Sequence, residues 1–336
     1  MRVAVLGLGY MGATHVSAWR RVPGATLAAV MSSDEQKLSG DLTAIEGNLG
    51  NSGERLDFSN VAKHRSVAAA LDDSEIDAVD ICLPTDLHSS TAMAALRAGK
   101  HVLVEKPIAL SAAEADAVIA EAAAQKRILM AGQVLRFAPA YKTLTQLLKH
   151  AGPVRSAFFR RRCAAPAWSR WLADPSRSGG GVFDLLIHDA DFCISLWGMP
   201  KTVRATGFEE MTAGIDIIHA ELNYPGLGPV VITGGWHHPK SYPFSMEFTV
   251  VAENATFEWP FEAPDLREYR ADGSSHAHPL PAGDSFVAEL AYFAECVRNN
   301  RQPDLCPPRE SSGSVALMRA MLESRSKKGE PISCEV

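Results

Sequence analysis

The sequence lacks the features of a nucleic-acid-binding, membrane-spanning or disulfide-stabilised protein. Its 33 Lys and Arg against 39 Asp and Glu give a formal net charge of -6, whereas nucleic acids and anionic membranes select basic patches. No apolar run reaches the about 20 residues that cross a bilayer. The 6 cysteines are scattered without a C-x-x-C pair, which is typical of reduced thiols. Because no charged and apolar leader precedes the first strand pattern, we expect a soluble cytoplasmic protein.

The length of 336 residues and a change of pattern along the chain predict two domains. Strand and helix patterns alternate at first, which predicts an α/β Rossmann domain over residues 1–131. Strand candidates with short turns follow, which predicts an α+β domain over residues 132–336 with a large, mostly antiparallel open sheet. Its last helix is a candidate to pack back on the first domain. We expect the sheet to join copies of the chain in a homodimer or homotetramer.

The predicted elements are short apolar runs and amphipathic or alanine-rich stretches. The strands are 3–6, 26–31, 78–83, 101–104, 128–131, 155–162, 202–206, 215–224, 230–236, 245–252 and 255–259. The helices are 12–21, 90–98, 112–124, 182–197, 285–299 and 311–327. Residues 41–65 are poorly patterned, and we predict a loop or a weak helix there.

A glycine-rich turn follows the first strand and opens the first helix. It consists of Gly7, Leu8, Gly9, Tyr10, Met11 and Gly12. In the G-x-G-x-x-G pattern the first glycine makes the tight turn, the second lets the backbone approach a pyrophosphate, and the third lets helix and strand pack. The N–H groups at the helix start then face the anion. The alternative is a glycine-rich turn without a ligand, but its position favours a nicotinamide dinucleotide.

The residues after the second strand bear on which dinucleotide is bound. An acidic residue at the strand end would hydrogen-bond the 2′-hydroxyl of NAD. Here Ser32 and Ser33 occupy this place, which leaves room for a 2′-phosphate, and Lys37 supplies charge. Asp34 is either a ribose ligand or simply the cap of the next helix. These residues favour NADP slightly over NAD.

Two later segments carry groups suited to catalysis. Glu105 and Lys106 come at the carboxyl end of a predicted strand, which is the edge where open α/β sheets bind ligands. Asp184 and His188 are four apart, so a helix places them on one face. Taken alone, each segment is also explained as a purely structural feature, namely a loop, a helix cap or a surface pair. With Asp191 the second segment could also suggest a metal site, but we predict no metal because hydride transfer to a nicotinamide needs none.

Together these segments resemble the Gfo/Idh/MocA oxidoreductase family nearly end to end. The resemblance rests on GLGYMG at the start, ICLPTDLH from Ile81, AGKHVLVEKP from Ala98 and GGGVFDLLIHDAD from Gly179. The MSSDEQK stretch is similar to the NADP-using anhydrofructose reductase branch. Leu172, however, stands after Trp171 where that branch has an arginine, so the preferences of the branch are not carried over.

The resemblance implies a role for each matching residue. Lys106, Asp184 and His188 would form the catalytic group. Around the dinucleotide it implies Pro84, Thr85, His88, Glu105 and Trp171. Histidine titrates near neutral pH and suits the proton transfer, while a lysine stabilises charge growing on the substrate oxygen.

We therefore expect an NAD(P)-dependent oxidoreductase that transfers a hydride between nicotinamide and a secondary alcohol or carbonyl of a sugar, polyol or related small molecule. Two alternatives stay open, a tightly bound cofactor recycled between two sugars and a catalytically silent NADP-binding sensor. Neither nucleic acid nor a membrane is an expected partner. By position alone, the substrate-pocket candidates are Arg160, Arg162, Trp168, Trp171, Tyr242 and Asp189.

Overall fold

The structure is a computed structural model that describes residues 1–47 and 53–334. Its strands are β1 (Arg2–Leu6), β2 (Thr26–Met31), β3 (Ala62–His64), β4 (Ala78–Ile81), β5 (His101–Glu105), β6 (Leu129–Gly132), β7 (Val154–Cys163), β8 (Thr202–Glu210), β9 (Ile215–Asn223), β10 (Val230–Trp236), β11 (Ser245–Ala252), β12 (Ala255–Pro260), β13 (Asp265–Arg270), β14 (Ser275–Pro279) and β15 (Ile332–Ser333). Its α-helices are α1 (Tyr10–Trp19), α2 (Glu35–Leu38), α3 (Val67–Leu71), α4 (His88–Arg97), α5 (Ala112–Ala124), α6 (Pro139–Leu148), α7 (Pro175–Ser178), α8 (Gly181–Trp197), α9 (Ser285–Arg298) and α10 (Pro308–Ser326).

The chain forms two compact units, and each draws on two stretches of sequence. The first comprises residues 1–134 and 284–312, and the second comprises 135–283 and 313–336. Among the described residues, no helix is both long and apolar enough to cross a membrane.

The first unit holds a parallel sheet of the Rossmann type. Within its described residues the strand order is β3-β2-β1-β4-β5-β6, and each adjacent pair is parallel. Strands β4 and β6 are buried along their whole length, as expected where helices cover both faces. Strand order reverses between β1 and β4, so the carboxyl ends of these strands open a crevice of the kind that binds dinucleotides.

Helix α9 also belongs to the first unit, although it lies far along the chain. It packs against α1, where Phe293 meets Trp19 edge-on with ring centroids 6.5 Å apart. Asp284 caps its start by accepting hydrogen bonds from the N–H groups of Phe286 and Val287. A distant helix therefore completes the apolar surroundings of the helix that follows the glycine turn.

The second unit holds a nine-stranded sheet within its described residues, in the order β14-β13-β12-β11-β7-β10-β9-β8-β15. Its neighbours are antiparallel except for β7 and β10. Burial alternates along β7, so that Phe159 is fully buried and Phe158 is not. Helix α8 packs against β7, β9 and β10. The predicted fold class, a Rossmann domain followed by a mostly antiparallel open sheet, is confirmed.

Several predicted elements match the observed bounds, others differ by one to four residues, and α6, β13 and β14 were not predicted. The predicted strands 26–31, 230–236 and 245–252 match β2, β10 and β11 residue for residue. The poorly patterned stretch contains a bridge between Asp41 and Arg55, and then β3. The part of that prediction that falls on residues 48–52 lies outside the described residues. Helix α10 begins at Pro308, earlier than predicted, since proline suits the first helical position.

Candidate active site

The glycine turn has the geometry of a phosphate-binding loop. Gly7 has a φ of +101°, and a Cβ on Gly12 would lie 1.8 Å from the Gly7 carbonyl oxygen. A Cβ on Gly9 would meet nothing within 4 Å among the described residues, so the chain leaves space where a pyrophosphate would approach. No side chain in the described chain caps the start of α1, which leaves its N–H groups to face an anion. Around the glycines, Leu8 is buried, whereas Tyr10 and Met11 are half-buried.

At the end of β2, the polar side chains organise the turn into α2. The Asp34 carboxylate accepts hydrogen bonds from the N–H groups of Gln36 and Lys37, which makes it the cap of this helix. Ser32 is buried, and its hydroxyl oxygen accepts from the Asp34 N–H at 3.1 Å. Ser33 is exposed and Lys37 half-buried. The helix-cap interpretation of Asp34 is confirmed.

The sequence analysis missed an arginine at this edge. Arg65 directly follows β3, which pairs with β2 in parallel, and its guanidinium makes a bidentate ion pair with Glu35. Both side chains are exposed. The signal was hidden because β3 is short and was not predicted as a strand.

The loop after β4 is tied to the segment after β5 by His88. Its ring nitrogens lie 2.7 Å from the carbonyl oxygens of Leu83 and Pro107. Burial lowers the pKa of His88, although the two carbonyl oxygens oppose the shift. Thr85 is buried in the same loop and Pro84 is half-buried. Contact of this loop with a dinucleotide stays a prediction.

The Glu105 and Lys106 segment ends β5 at the carboxyl edge of the sheet. The Glu105 carboxylate is buried and accepts a hydrogen bond from the backbone N–H of Lys106 at 3.1 Å. The Lys106 side chain is half-buried, and its peptide bond to Pro107 is cis. The lysine thus stands next to a fixed carboxylate at the edge where ligands bind.

Behind Glu105 lies a buried charged network that the sequence analysis did not identify. His15 Nδ1 lies 2.8 Å from an Asp80 carboxylate oxygen, and His15 Nε2 lies 3.0 Å from a Glu105 oxygen. The Trp19 indole N–H donates to the same Asp80 oxygen at 2.7 Å. Burial lowers the pKa of His15, but Asp80 and Cys82 outweigh it and hold the pKa well above its ordinary value. The direction of this shift favours the imidazolium form of His15.

His15, Asp80 and Cys82 also lie close enough together to suggest a metal site. The ion pairs just described already occupy His15, and Asp80 accepts from Trp19. Burial and the Asp80 carboxylate raise the pKa of the Cys82 thiol far above its ordinary value. These contacts favour the charged network over a metal centre.

In the second unit, glycines shape the start of α8. Gly179 and Gly180 have φ values of +84° and +95°, and a Cβ on Gly181 would lie 2.4 Å from the Trp236 ring. Asp216 then fixes the helix start. One of its oxygens accepts from the Val182 N–H at 2.8 Å, and the other pairs with an arginine of α10.

Asp184 and His188 share one face of α8, as the sequence predicts. Both are half-buried, whereas the three residues between them are buried. Burial and then the nearby Asp184 carboxylate raise the pKa of the Cys163 thiol to about 12, which places Asp184 beside the end of β7. The helix thus leaves one acid and one imidazole accessible on an otherwise buried segment. Trp171 lies in the loop before α7 and is half-buried.

The next two acidic residues of α8, Asp189 and Asp191, form ion pairs within the second unit. Asp189 and Arg161 form a bidentate pair at 2.8 and 3.0 Å, and both are buried. Asp191 forms a second bidentate pair, with Arg136, in which both N···O distances are 2.7 Å. Asp189 was a substrate-pocket candidate by position, but its carboxylate is occupied within the second unit.

Comparison with known proteins decides the family. A family model described as the oxidoreductase family with an NAD-binding Rossmann fold matches residues 1–133. A second, described as the GFO/IDH/MocA C-terminal domain, matches residues 142–258. The chain belongs to the Gfo/Idh/MocA oxidoreductase family.

Two curated relatives and one solved structure are similar to this chain. An uncharacterized oxidoreductase, YdgJ, of Escherichia coli is 30% identical over 67% of this chain and 62% of its own length. UDP-N-acetylglucosamine 3-dehydrogenase of Acidithiobacillus ferrooxidans is 30% identical over 66% of this chain and 62% of its own length. Each match therefore spans less than two thirds of the relative. A levoglucosan dehydrogenase, solved in complex with NADH and levoglucosan, has the same fold with a TM-score of 0.86, 17% identity and 100% coverage of both chains.

Proposed function

We propose that this protein is an NAD(P)-dependent oxidoreductase that acts on a CH–OH group of a sugar, polyol or related small molecule. The observation that carries the proposal is Lys106, which directly follows β5 at the same sheet edge as the glycine turn. A charged side chain at this edge can reach a substrate that lies against a bound dinucleotide. The relatives named above are oxidoreductases, which favours an enzyme over a silent sensor.

The proposed reaction consists of the transfer of a hydride and the transfer of a proton. A nicotinamide dinucleotide held at the glycine turn would supply the hydride acceptor, and His188 would take the O–H proton of the substrate alcohol. The Lys106 ammonium stabilises the negative charge that grows on the substrate oxygen and so lowers the pKa of the alcohol. Asp184 orients either the imidazole or the substrate hydroxyls. In the reductive direction, His188 donates the proton to the carbonyl oxygen.

The proposal is tested with Lys106→Met and His188→Ala. We expect turnover to fall by at least about 100-fold in each, the low end for loss of acid–base help, with dinucleotide binding retained. Lys149→Met and His150→Ala are matched controls, because both side chains are exposed at the end of α6. Normal turnover in both site variants would reject the assigned roles. A panel of sugars, inositols and dicarbonyls, each with both dinucleotides, identifies the substrate.

For the dinucleotide we propose NADP over NAD. Ser32 and Ser33 stand where an NAD enzyme has an acid, and Asp34 is engaged as a helix cap. Arg65 and Lys37 supply positive charge at the same edge, although Glu35 already pairs with Arg65. Fluorescence titration with NADPH and NADH tests this preference, and tighter binding of NADH would refute it.

We also propose a homodimer or homotetramer formed through the sheet of the second unit. Alternate residues of β7 and β8 point away from the buried side, and among them Phe158 is half-buried and Phe208 is 53% exposed. Light scattering coupled to gel filtration gives the mass, and a monomer would exclude this assembly. The 6 cysteines are free and buried, which supports the proposed cytoplasmic location.

A further inference from the structure

Gln133 directly follows β6 in the first unit and carries a buried primary amide. It is 1% exposed. Neither its side-chain nitrogen nor its side-chain oxygen has a hydrogen-bond partner among the described residues. Buried amides are normally hydrogen-bonded, because an unmade bond leaves the desolvation cost uncompensated. Asp80 and His88, also buried in this unit, both have partners.

The register of the sheet places Gln133 beside the segment that carries Glu105 and Lys106. Strand β6 pairs in parallel with β5, with Gly132 opposite Glu105. Gln133 and Lys106 are therefore each one residue past the same paired position at the carboxyl edge. A Cβ on Gly132 would lie 3.3 Å from a Glu105 oxygen, so the glycine keeps the two strand ends close. The orphaned amide thus stands at the edge where the dinucleotide is expected.

The chemistry of a primary amide defines what would satisfy it. Gln133 offers an N–H donor and a carbonyl acceptor side by side. The complementary group is another primary amide, which can accept from the first and donate to it in a pair of hydrogen bonds. The nicotinamide ring of the proposed cofactor carries such a group at its 3-position. A pyrophosphate offers acceptors only and cannot satisfy both groups of the amide.

We propose that the side chain of Gln133 binds the carboxamide of the nicotinamide and so fixes the rotation of the ring. This inference rests on the proposed function, since it requires a nicotinamide dinucleotide at this edge. It assigns to Gln133 a role in holding the cofactor, apart from the proton and charge roles of Lys106 and His188. In the free protein the buried amide of Gln133 has no hydrogen-bond partner among the described residues, and the nicotinamide carboxamide would supply that partner on binding.

The experiment measures binding by the whole chain and needs no turnover. Gln133→Leu removes both hydrogen-bonding groups at similar volume. The ligands are the reduced dinucleotide, its 3-acetylpyridine analogue, which keeps the acceptor but lacks the N–H donor, and the matching ADP-ribose, which lacks the ring. We expect the wild type to prefer the natural dinucleotide over the analogue by about tenfold, the equivalent of one or two net hydrogen bonds. In Gln133→Leu the preference should vanish, with ADP-ribose affinity unchanged within about twofold.

Several results would overturn the inference. One is an unchanged preference in Gln133→Leu, and another is an equal loss of ADP-ribose binding, which would mean a role in the fold alone. Gln133→Met repeats the test if the leucine variant does not fold, and Gln125→Leu, at an exposed position, is the control. If the wild type binds neither ADP-ribose nor the dinucleotide, the proposed function itself fails.

Discussion

Replacing His15 by leucine tests the buried charged network behind the glycine turn. In the folded protein the imidazolium lies between the carboxylates of Asp80 and Glu105, at 2.8 and 3.0 Å. The side chains of His15 and Asp80 are 0% exposed, and that of Glu105 is 7% exposed. The variant keeps a side chain of similar bulk but leaves two buried carboxylates without their cation. The network is thus broken from one side, which is the costly way to break it.

The magnitude follows from burial. Removing one partner of a buried ion pair costs about 3–5 kcal/mol, whereas exposed pairs contribute about 0–1 kcal/mol. The chain offers a matched control in the pair of His64 and Asp73, which lie 3.1 Å apart with side chains 17% and 21% exposed. We expect His15→Leu to lower the free energy of unfolding by about 3–5 kcal/mol, and His64→Leu to lower it by less, because that pair is only partly buried.

The assay is urea unfolding, followed by far-UV circular dichroism and by the fluorescence of tryptophan. Because the pKa of His15 is raised in the folded state, its contribution is fully present below its ordinary pKa of about 6.5. It is lost as the pH rises through the folded pKa. The difference between wild type and His15→Leu should therefore shrink as the pH is raised above neutrality. A difference below about 1 kcal/mol, the range of an exposed pair, or one that widens with pH, would refute the reasoning.

Further predictions concern the glycine turn and the start of α8. Gly12→Ala should abolish dinucleotide binding and destabilise the first unit, since its Cβ would lie 1.8 Å from the Gly7 oxygen; calorimetry measures both. Gly9→Ala should change stability by no more than about 0.5 kcal/mol but weaken binding in the same titration, because its methyl group enters the space left for the pyrophosphate. Asp216→Asn should lower turnover with dinucleotide affinity unchanged, because it breaks the pair with Arg325 within the second unit; equal loss of affinity would contradict this.

The sequence predicted the elements that carry strong local patterns. Apolar runs predicted the observed bounds of β2, β10 and β11, since burial on both faces or alternation along a strand shows in the pattern of the residues. Strand β3 and helices α2 and α3 have 3, 4 and 5 residues, which is too short for a periodicity to show. Arg65 was missed for the same reason, because its place at the sheet edge depends on β3.

Some features of the candidate site were likewise predictable from the local sequence. The roles of Gly7, Gly9 and Gly12 follow from backbone sterics at fixed spacing, so the motif alone predicts a dinucleotide turn. The face shared by Asp184 and His188 follows from helical periodicity. These features depend only on residues that are close together along the chain, so the sequence alone predicts them.

Tertiary structure alone decided which polar residues are paired. His15, Asp80 and Glu105 lie on three different elements, and only the packing of those elements makes an imidazolium of the histidine. The sequence made Asp189 a substrate-pocket candidate, but β7 places Arg161 against it and the two side chains form an ion pair. Gln133 has no distinguishing motif, and its unpaired amide becomes visible only once the partners of its neighbours are known. The sequence by itself determined the backbone turns and the faces of the helices, whereas charge and hydrogen bonding depend on distances across the fold that no spacing along the chain specifies.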